Sequence, residues 1–276
     1  LYHVKQIEIV FGPASALYGA DAFTVVINLI TYQSTEELGD RVTFETGSDS
    51  HKFANFLVGA NWGEDVRIIV GGHFQDSDNY DLADGYPENY VIGDLVNFNG
   101  ETVVAAGDRA GPDFPTKSKT LNIGLTVKED FKLYYTESMH RNSTGVADFV
   151  NHVDYGRNPF WQTELSALNA SYSFDINDIW SSQMQASYAT YEIDPSSKFS
   201  NTFVNFGDGY KYGKGTETEF GQQFSYQYSE QTNIMLGYVF EQFDSIPKGA
   251  DLLKPFDPDK IPEDQGLYYL GSDDTI

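Results

Sequence analysis

The stretch that decides the fold is Gln6–Thr31, QIEIVFGPASALYGADAFTVVINLIT, near the start of a chain of 276 residues. Ile7, Ile9 and Phe11 alternate with Glu8 and Val10 in a run rich in β-forming residues, which predicts a β-strand. Gly12-Pro13 ends that strand, and Tyr18-Gly19 supplies a second turn signal. The β-branched run Val25–Thr31 predicts a second strand and is too short to cross a membrane as a helix. The stretch therefore predicts a strand, then an irregular segment, and then a second strand.

The order of residues within this stretch carries a further signal. It resembles the C-terminal end of the plug domain of TonB-dependent outer-membrane receptors, which typically shows IEV-x-RGP-x-SALYG followed by GGVINIIT. The matching positions are Ile7, Glu8, Ile9, Gly12, Pro13, Ser15, Leu17, Tyr18, Gly19, Val26, Ile27, Asn28, Ile30 and Thr31. Phe11 replaces the usual arginine, and Thr24-Val25 replaces the usual Gly-Gly. The resemblance implies that residues 1–33 end a plug domain.

Composition is typical of a membrane β-barrel. Aromatic residues make up 15% of the chain, yet its mean hydropathy is −0.40. A barrel divides its side chains between a lipid face and a polar lumen, which combines many aromatics with low mean hydropathy. No apolar run of 18 residues occurs, so no transmembrane helix is predicted. The absence of cysteine suits passage through an oxidising periplasm.

The formal net charge of −24 excludes one class of partner. Nucleic-acid phosphates require basic stripes, and no cluster of lysine and arginine occurs along this sequence, so nucleic acid is not an expected partner. The acidity is compatible with cationic or metal-bearing ligands. It is equally compatible with a solvated surface.

Alternation of apolar and polar residues predicts nine strands after the opening stretch. Their apolar positions lie within residues 42–44, 54–62, 66–74, 121–127, 131–135, 168–174, 180–188, 220–228 and 234–240. Several approach the ~10-residue length of a tilted membrane strand. The sequence therefore predicts an all-β chain. Residues 34–276 would form the first part of an antiparallel transmembrane β-barrel, with about nine strands, preceded by the plug end.

The predicted connections alternate in length, as they do in outer-membrane barrels. The short ones lie near residues 63–65, 129–130, 175–178 and 229–232, and the long ones at 76–118, 140–164, 192–215 and 244–276. Aromatic residues on the apolar face flank the short turns, where a periplasmic girdle belongs. These are Trp62, Phe131, Phe174, Trp180 and Tyr228.

The family resemblance also implies a function. Such receptors sit in the outer membrane of Gram-negative bacteria and take up scarce nutrients: iron–siderophores, haem, cobalamin or glycans. The implied partners are outer-membrane lipid, the extracellular ligand and the TonB–ExbB–ExbD complex that delivers energy. A passive porin-like channel is the alternative, and an enzyme is disfavoured because no catalytic motif is present. The resemblance further implies that the TonB-interacting segment and the closing strands lie outside this sequence.

The long acidic segment after the third barrel strand is the first candidate ligand site. Carboxylates at close spacing suit Ca²⁺, which binds through six to eight oxygens. The candidate metal ligands are Asp76, Asp78, Asp81 and Asp84, and the candidate ligand-binding aromatics are Tyr80 and Tyr86. The competing interpretation is a loop whose charge only keeps it solvated.

Two further segments carry residues with chemical potential. His140, Asp148, His152 and Asp154 could bind haem or a metal or perform acid–base chemistry, or they could line a solvated loop. The glycine-rich stretch GDGYKYGKG, residues 207–215, lacks the context of a phosphate-binding loop and predicts a flexible loop tip.

Overall fold

The structure is a computed structural model that describes residues 3–12, 24–32, 39–79, 81–144 and 152–267. It is built mostly from antiparallel β-strands. The strands are β1 Val4–Phe11, β2 Val25–Thr31, β3 Arg41–Thr46, β4 Lys52–Trp62, β5 Val66–Ser77, β6 Leu95–Val96, β7 Thr102–Val104, β8 Thr116–Val127, β9 Phe131–Ser143, β10 Phe160–Asn177, β11 Trp180–Ile193, β12 Lys198–Asn201, β13 Gly207–Ser229 and β14 Thr232–Leu252. In the described part of the chain, no helix has the length and apolarity to span a membrane.

The opening stretch folds as predicted into two paired strands. β1 and β2 form their own antiparallel sheet, in which Ile9 lies opposite Ile27 and Glu8 opposite Asn28. We call this pair the plug hairpin.

The remaining long strands form one antiparallel sheet that resembles part of a barrel wall. Neighbours pair in the order β3, β4, β5, β8, β9, β10, β11, β13 and β14. These are the nine predicted strands, so that prediction is confirmed. The short β12 is a tenth strand, inserted between the upper parts of β10 and β13. The small β6–β7 hairpin lies within the first long loop.

The two ends of the sheet differ as the sequence predicts. Short connections at residues 63–65, 128–130, 178–179 and 230–231 share one end, which we call the turn end. Long connections at residues 78–115, 144–159 and 194–206 share the other, which we call the loop end. Besides β6–β7 and β12, the loop end carries a short α-helix and several 3₁₀ turns. These are Leu82–Gly85, Ala106–Asp108, Tyr155–Arg157, Thr202–Val204 and Pro262–Gln265.

Strand alternation gives the sheet two chemically distinct faces. The inner face lies against the plug hairpin and buries the polar side chains of Asn55, Asn122 and Thr126. The outer face exposes apolar side chains, among them Phe44 and Ile123. Successive residues of a strand point to opposite faces, so the period-2 pattern in the sequence fixes which residues face inward.

The prediction of a flexible tip at residues 207–215 is wrong. This segment is the first part of β13, where Gly209 pairs with Phe199 of β12 and Gly215 pairs with Tyr191 of β11. A Cβ atom at Gly209 would lie 2.7 Å from the Phe199 ring. The glycines here serve close packing between strands, and the strands extend further toward the loop end than hydropathy indicates.

Candidate functional site

The plug hairpin owes its closure to residues of the motif quoted above. The side-chain amide of Asn28 donates to the carboxylate of Glu8 across the two strands, with 3.2 Å between Nδ2 and Oε2. At the end of the hairpin, Gly12 adopts φ +107°, a conformation that disfavours side chains. Its N–H donates to the carbonyl of Thr24 at 2.9 Å. The motif therefore specifies a cross-strand pair and a glycine closure.

Of the predicted plug-motif residues, the structure describes Gly12, Ile27 and Asn28. The others lie outside the described residues: Pro13, Ser15, Leu17, Tyr18 and Gly19. Phe11, in the position of the family's arginine, has 82% of its surface exposed and contributes little packing here.

A buried asparagine anchors the plug hairpin to the inner face. Asn122 of β8 is 5% exposed, and its Nδ2 lies 3.2 Å from Nδ1 of His3. Its Oδ1 accepts hydrogen bonds from the hydroxyls of Tyr134, at 3.0 Å, and Thr136, at 2.8 Å. The guanidinium of Arg41 lies over the ring of Tyr32, 5.9 Å from its centroid. The hairpin is thus held on the sheet by polar contacts.

A cavity of about 440 Å³ lies between the end of β2 and the inner face of the sheet. Thr31 and Tyr32 line one side, and Gly124, Tyr134 and Gln185 are among the residues on the other. Its lining mixes polar side chains such as Thr126, Lys132 and Glu219 with apolar ones such as Ile69 and Leu133.

The loops at the loop end pack on one another into a continuous layer. Arg109 of the first long loop donates to the carbonyl of Val153 in the second at 3.0 Å. Burial is the main influence on the Arg109 guanidinium and lowers its pKa, while Asp154 and Tyr155 act in the opposite direction. Phe114 packs edge-on against Tyr155, with ring centroids 5.8 Å apart.

The first long loop also reaches the third. Phe98 stacks on Phe203 with a centroid separation of 5.2 Å, and the amide of Asn97 donates to Asn205 at 3.1 Å. Through these contacts, chain segments more than 100 residues apart become neighbours.

Where the three loops meet they enclose a second cavity, of about 520 Å³, which we call the loop cavity. Its lining is largely aromatic and aliphatic, with one lysine and one histidine. The lining residues include Val96, Phe98, His152, Val153, Phe199, Phe206 and Lys211. The ammonium of Lys211 lies 4.4 Å from the ring centroid of Trp161 and 4.8 Å from that of Phe199. Such a cavity suits a small ligand with flat apolar groups.

The predicted metal ligands are not gathered into a site. Asp76 pairs with Lys117 at 3.2 Å, and Asp81 accepts from the N–H of Ala83 at 2.8 Å, next to the short helix that contains Asp84. Across the described ranges, no three acidic, histidine or cysteine side chains are arranged to hold a metal ion. Ca²⁺ binding by Asp76, Asp78, Asp81 and Asp84 therefore stays a prediction that no geometry among the described residues supports.

The structure also places the candidate tyrosines and the candidate residues around the two histidines at separate positions. Tyr80 lies outside the described residues, whereas Tyr86 is 54% exposed and stays a prediction as a ligand contact. His140 bonds Asn142 within β9, and His152 lines the loop cavity. Asp154 caps the 3₁₀ turn at Gly156, and Asp148 is outside the described residues. Among the described residues, His140, His152 and Asp154 do not form a group that could hold a metal ion.

The sequence does not predict the loop cavity, because the residues that line it come from three separate segments. These segments lie near positions 96–98, 152–153 and 199–211. The only local signal was the cluster of aromatics between Phe199 and Tyr212. That signal was masked by the glycines interspersed among them.

An apolar outer face, short turns at one end, packed loops at the other and a separate hairpin against the inner face define a class of protein. These features are those of an outer-membrane β-barrel, of which this sheet forms part of the wall. The chain matches known proteins accordingly. It is 35% identical over 81 residues to the vitamin B12 transporter BtuB of Vibrio vulnificus, covering 29% of this chain and 13% of that protein.

A second relative is the iron-regulated outer membrane virulence protein of Vibrio cholerae, 30% identical over 125 residues. That match covers 40% of this chain and 19% of the relative. The chain thus spans under a fifth of the curated relatives it matches. No protein-family model matches it.

Solved structures share the fold. The FrpB iron transporter of Neisseria meningitidis superposes with a TM-score of 0.58 and 16% identity, over 89% of this chain and 36% of that one. The ferric-catecholate import receptor Fiu of E. coli K12 gives 0.55 and 12%, over 92% and 42%. These comparisons support the resemblance to TonB-dependent receptors that the opening motif indicates, and the chain is an outer-membrane protein.

Proposed function

We propose that the receptor containing this chain takes up a scarce nutrient across the outer membrane by TonB-coupled active transport. The observation that carries the proposal is the plug hairpin, anchored on the inner face through His3 and Asn122. A passive porin-like channel needs no separate hairpin in its lumen. Sequence relatives named as a vitamin B12 transporter and as an iron-regulated outer-membrane protein support transport rather than catalysis.

The inner-face contacts suit a plug that must move. The contact between His3 and Asn122 is polar, and a cavity of about 440 Å³ lies beside Thr31 and Tyr32 at the end of β2. A polar contact exchanged for water costs far less free energy than the exposure of a packed apolar surface. A pull transmitted from the TonB–ExbB–ExbD complex would therefore meet a low energetic barrier at this interface.

The loop cavity is the proposed first binding site for the nutrient. Aromatic rings stack on the flat parts of a ligand, and Lys211 offers a positive charge in an otherwise strongly acidic chain. Iron–siderophores, haem, cobalamin and glycans all carry faces that can stack. Lys211→Gln should weaken binding by roughly 3- to 30-fold, the range expected for one partly desolvated cation.

Uptake by cells that produce the receptor tests the proposal. Radiolabelled ferric siderophores, haem and cobalamin would be offered with the proton gradient intact and after its collapse by an uncoupler. Accumulation that stops on uncoupling supports active uptake, whereas gradient-independent passage of small solutes supports a passive channel. Lys260→Gln, at a lysine that pairs with Asp257 outside the loop cavity, is the matched control for Lys211.

A further inference from the structure

The line of chain between β10 and β13 is interrupted at the loop end. β11 ends at Ile193, opposite Thr163 of β10, and β12 begins at Lys198, opposite Phe160. Residues 194–197 therefore face the two residues between Phe160 and Thr163, so that β11 and β12 form one line with a bulge of two extra residues. We call residues 194–197 the wall bulge. Bulges redirect neighbouring side chains and are frequent beside functional sites.

One serine of the wall bulge connects the strands on both sides of it. The Ser197 hydroxyl accepts from the backbone N–H of Gln162 in β10 at 3.1 Å and donates to the Gln162 carbonyl, 3.3 Å away. The Ser197 carbonyl accepts from the backbone N–H of Lys211 in β13 at 2.9 Å. Ser197 is 0% exposed, so a larger side chain there would displace a neighbouring strand. Ser197 therefore fixes the spacing between Gln162 and Lys211.

These connected positions carry the cation of the loop cavity and a ring that holds it. Trp161 precedes Gln162, and the Lys211 ammonium lies 4.4 Å from the ring centroid of Trp161 and 4.8 Å from that of Phe199. Two strands with one other strand between them are about 10 Å apart, so the Lys211 side chain leans across the wall bulge to reach Trp161. The Ser197 hydroxyl is turned back onto Gln162 beneath it.

The residues around the ammonium have different relations to the loop cavity. Lys211 and Phe199 line it, whereas Trp161 and Ser197 are not among its lining residues in the described part of the chain. Trp161 and Ser197 therefore act on a ligand through Lys211. An ammonium held between rings is partly desolvated, which strengthens its attraction to an anion, and its fixed position reduces the entropy lost on binding.

We propose that Ser197 and Trp161 are positioning residues that hold the Lys211 ammonium for an anionic group on a flat part of the ligand. The proposal rests on the loop cavity as the nutrient's binding site, and it adds the chemical class of group that the cavity selects. The flat group stacks on the Phe199 ring while its charge meets the ammonium. A neutral group of the same shape makes only the first contact.

Fluorine NMR of the receptor labelled with 5-fluorotryptophan tests the positioning without reference to uptake. The Trp161 signal is the one that Trp161→Phe removes. Lys211→Gln should move this signal, because it removes the cation over the ring, and Ser197→Ala should move it in the same direction. The matched control is Ser182→Ala, because Ser182 is also buried and donates to the Gln223 carbonyl of the next strand at 3.2 Å, near the turn end.

Benzoate and benzyl alcohol test the selection for charge, because they share a flat ring and only benzoate is an anion. Their affinities are measured by ligand-observed NMR titration. The unaltered receptor and Ser182→Ala should bind benzoate at least about fivefold more tightly than benzyl alcohol. This preference should fall below about twofold in Ser197→Ala, Trp161→Leu and Lys211→Gln. Adding Ser197→Ala to Lys211→Gln should cause no further loss, because the serine acts through the lysine.

Several results would overturn the proposal. One is a Trp161 signal that stays in place in Ser197→Ala or in Lys211→Gln. Another is the lack of a preference for benzoate in the unaltered receptor, and a third is a preference that survives Trp161→Leu. The last variant keeps the test decisive if heat-modified mobility shows that Ser197→Ala does not fold. Uptake that continues after uncoupling would contradict the proposed function and would leave all these measurements unchanged.

Discussion

The two faces of the sheet invert the usual relation between polarity and exposure. On β8, Asn122 is 5% exposed and Thr126 is 5% exposed, whereas Ile123 between them is 38% exposed. A water-soluble sheet buries its isoleucines and exposes its asparagines. The inversion shows that the medium around the outer face is apolar. It also explains why low mean hydropathy and abundant aromatics coexist in this chain.

The largest effect is expected from a charged side chain introduced on the outer face, halfway between the two membrane boundaries. Val58 lies five residues from its turn, is 37% exposed, and pairs with Val70, which in turn pairs with Ile123. Val58→Arg should destabilise the folded receptor by ~2–4 kcal/mol, because the cation would lie near the bilayer midplane. Urea unfolding of the receptor in lipid vesicles measures this loss.

A matched substitution on the inner face provides the control. Gln185 lies at similar depth, and its amide donates to Glu219 at 3.0 Å. Gln185→Arg places the same charge beside a carboxylate in the lumen and should change stability by less than about 1 kcal/mol. Equal losses in the two variants would mean that the faces have been assigned the wrong way round.

A smaller loss of stability is expected when a buried polar side chain of the inner face is removed. Asn122→Ala removes the acceptor shared by the hydroxyls of Tyr134 and Thr136 and should cost about 1–3 kcal/mol in unfolding free energy. Asn169→Ala, at an exposed position on the same face, is the control and should be nearly neutral. If Tyr134→Phe restores none of the stability lost in Asn122→Ala, the hydroxyl is not what Asn122 satisfies.

The smallest expected change in stability concerns Asp113, in the layer of loops at the loop end. Partial desolvation first, and then the charges of Asp78 and Asp81, raise the pKa of Asp113 above its ordinary value. A carboxyl with a raised pKa stabilises the fold most while protonated. This contribution is complete below the ordinary pKa of 3.8 and is lost as the pH rises through the raised value.

Asp113→Asn should therefore raise the melting temperature slightly at pH 7 and flatten its dependence on pH above 3.8. Because Asp113 is solvent-exposed, screening keeps the gain below about 0.5 kcal/mol. Asp84→Asn, an exposed aspartate of the same loop, is the control. A lower melting temperature for Asp113→Asn would contradict the direction assigned to its pKa.

The membrane part of the fold is predictable because two-residue alternation is a local property. The alternation of Ile123 with its polar neighbours indicates which face of the sheet each residue occupies, and it does so without information from distant sequence. The Glu8–Asn28 pair lies in a motif of fixed spacing. The plug hairpin, the strand count and the two ends of the sheet follow from such local patterns.

The loop end is not predictable in this way, because its contacts join segments far apart in sequence. Nothing local to Phe98 indicates that it stacks on Phe203, and the glycines at 207–215 predict flexibility when read alone. Those glycines become strand residues only once β11 and β12 are present beside them. The close spacing of the four aspartates likewise predicts a metal site, but the sequence does not indicate that Asp76 pairs with Lys117 of another strand.

The length of β13 has a consequence for how this surface can evolve. The strand has 23 residues, and about 11 suffice to cross the membrane, so roughly half of it stands beyond the bilayer, paired with β14. An inserted residue in an unpaired loop is absorbed locally, whereas in a paired strand it shifts every following side chain to the opposite face. We therefore expect relatives to diversify this extracellular wall by substitution at alternate positions and to reserve insertions for the loops around it.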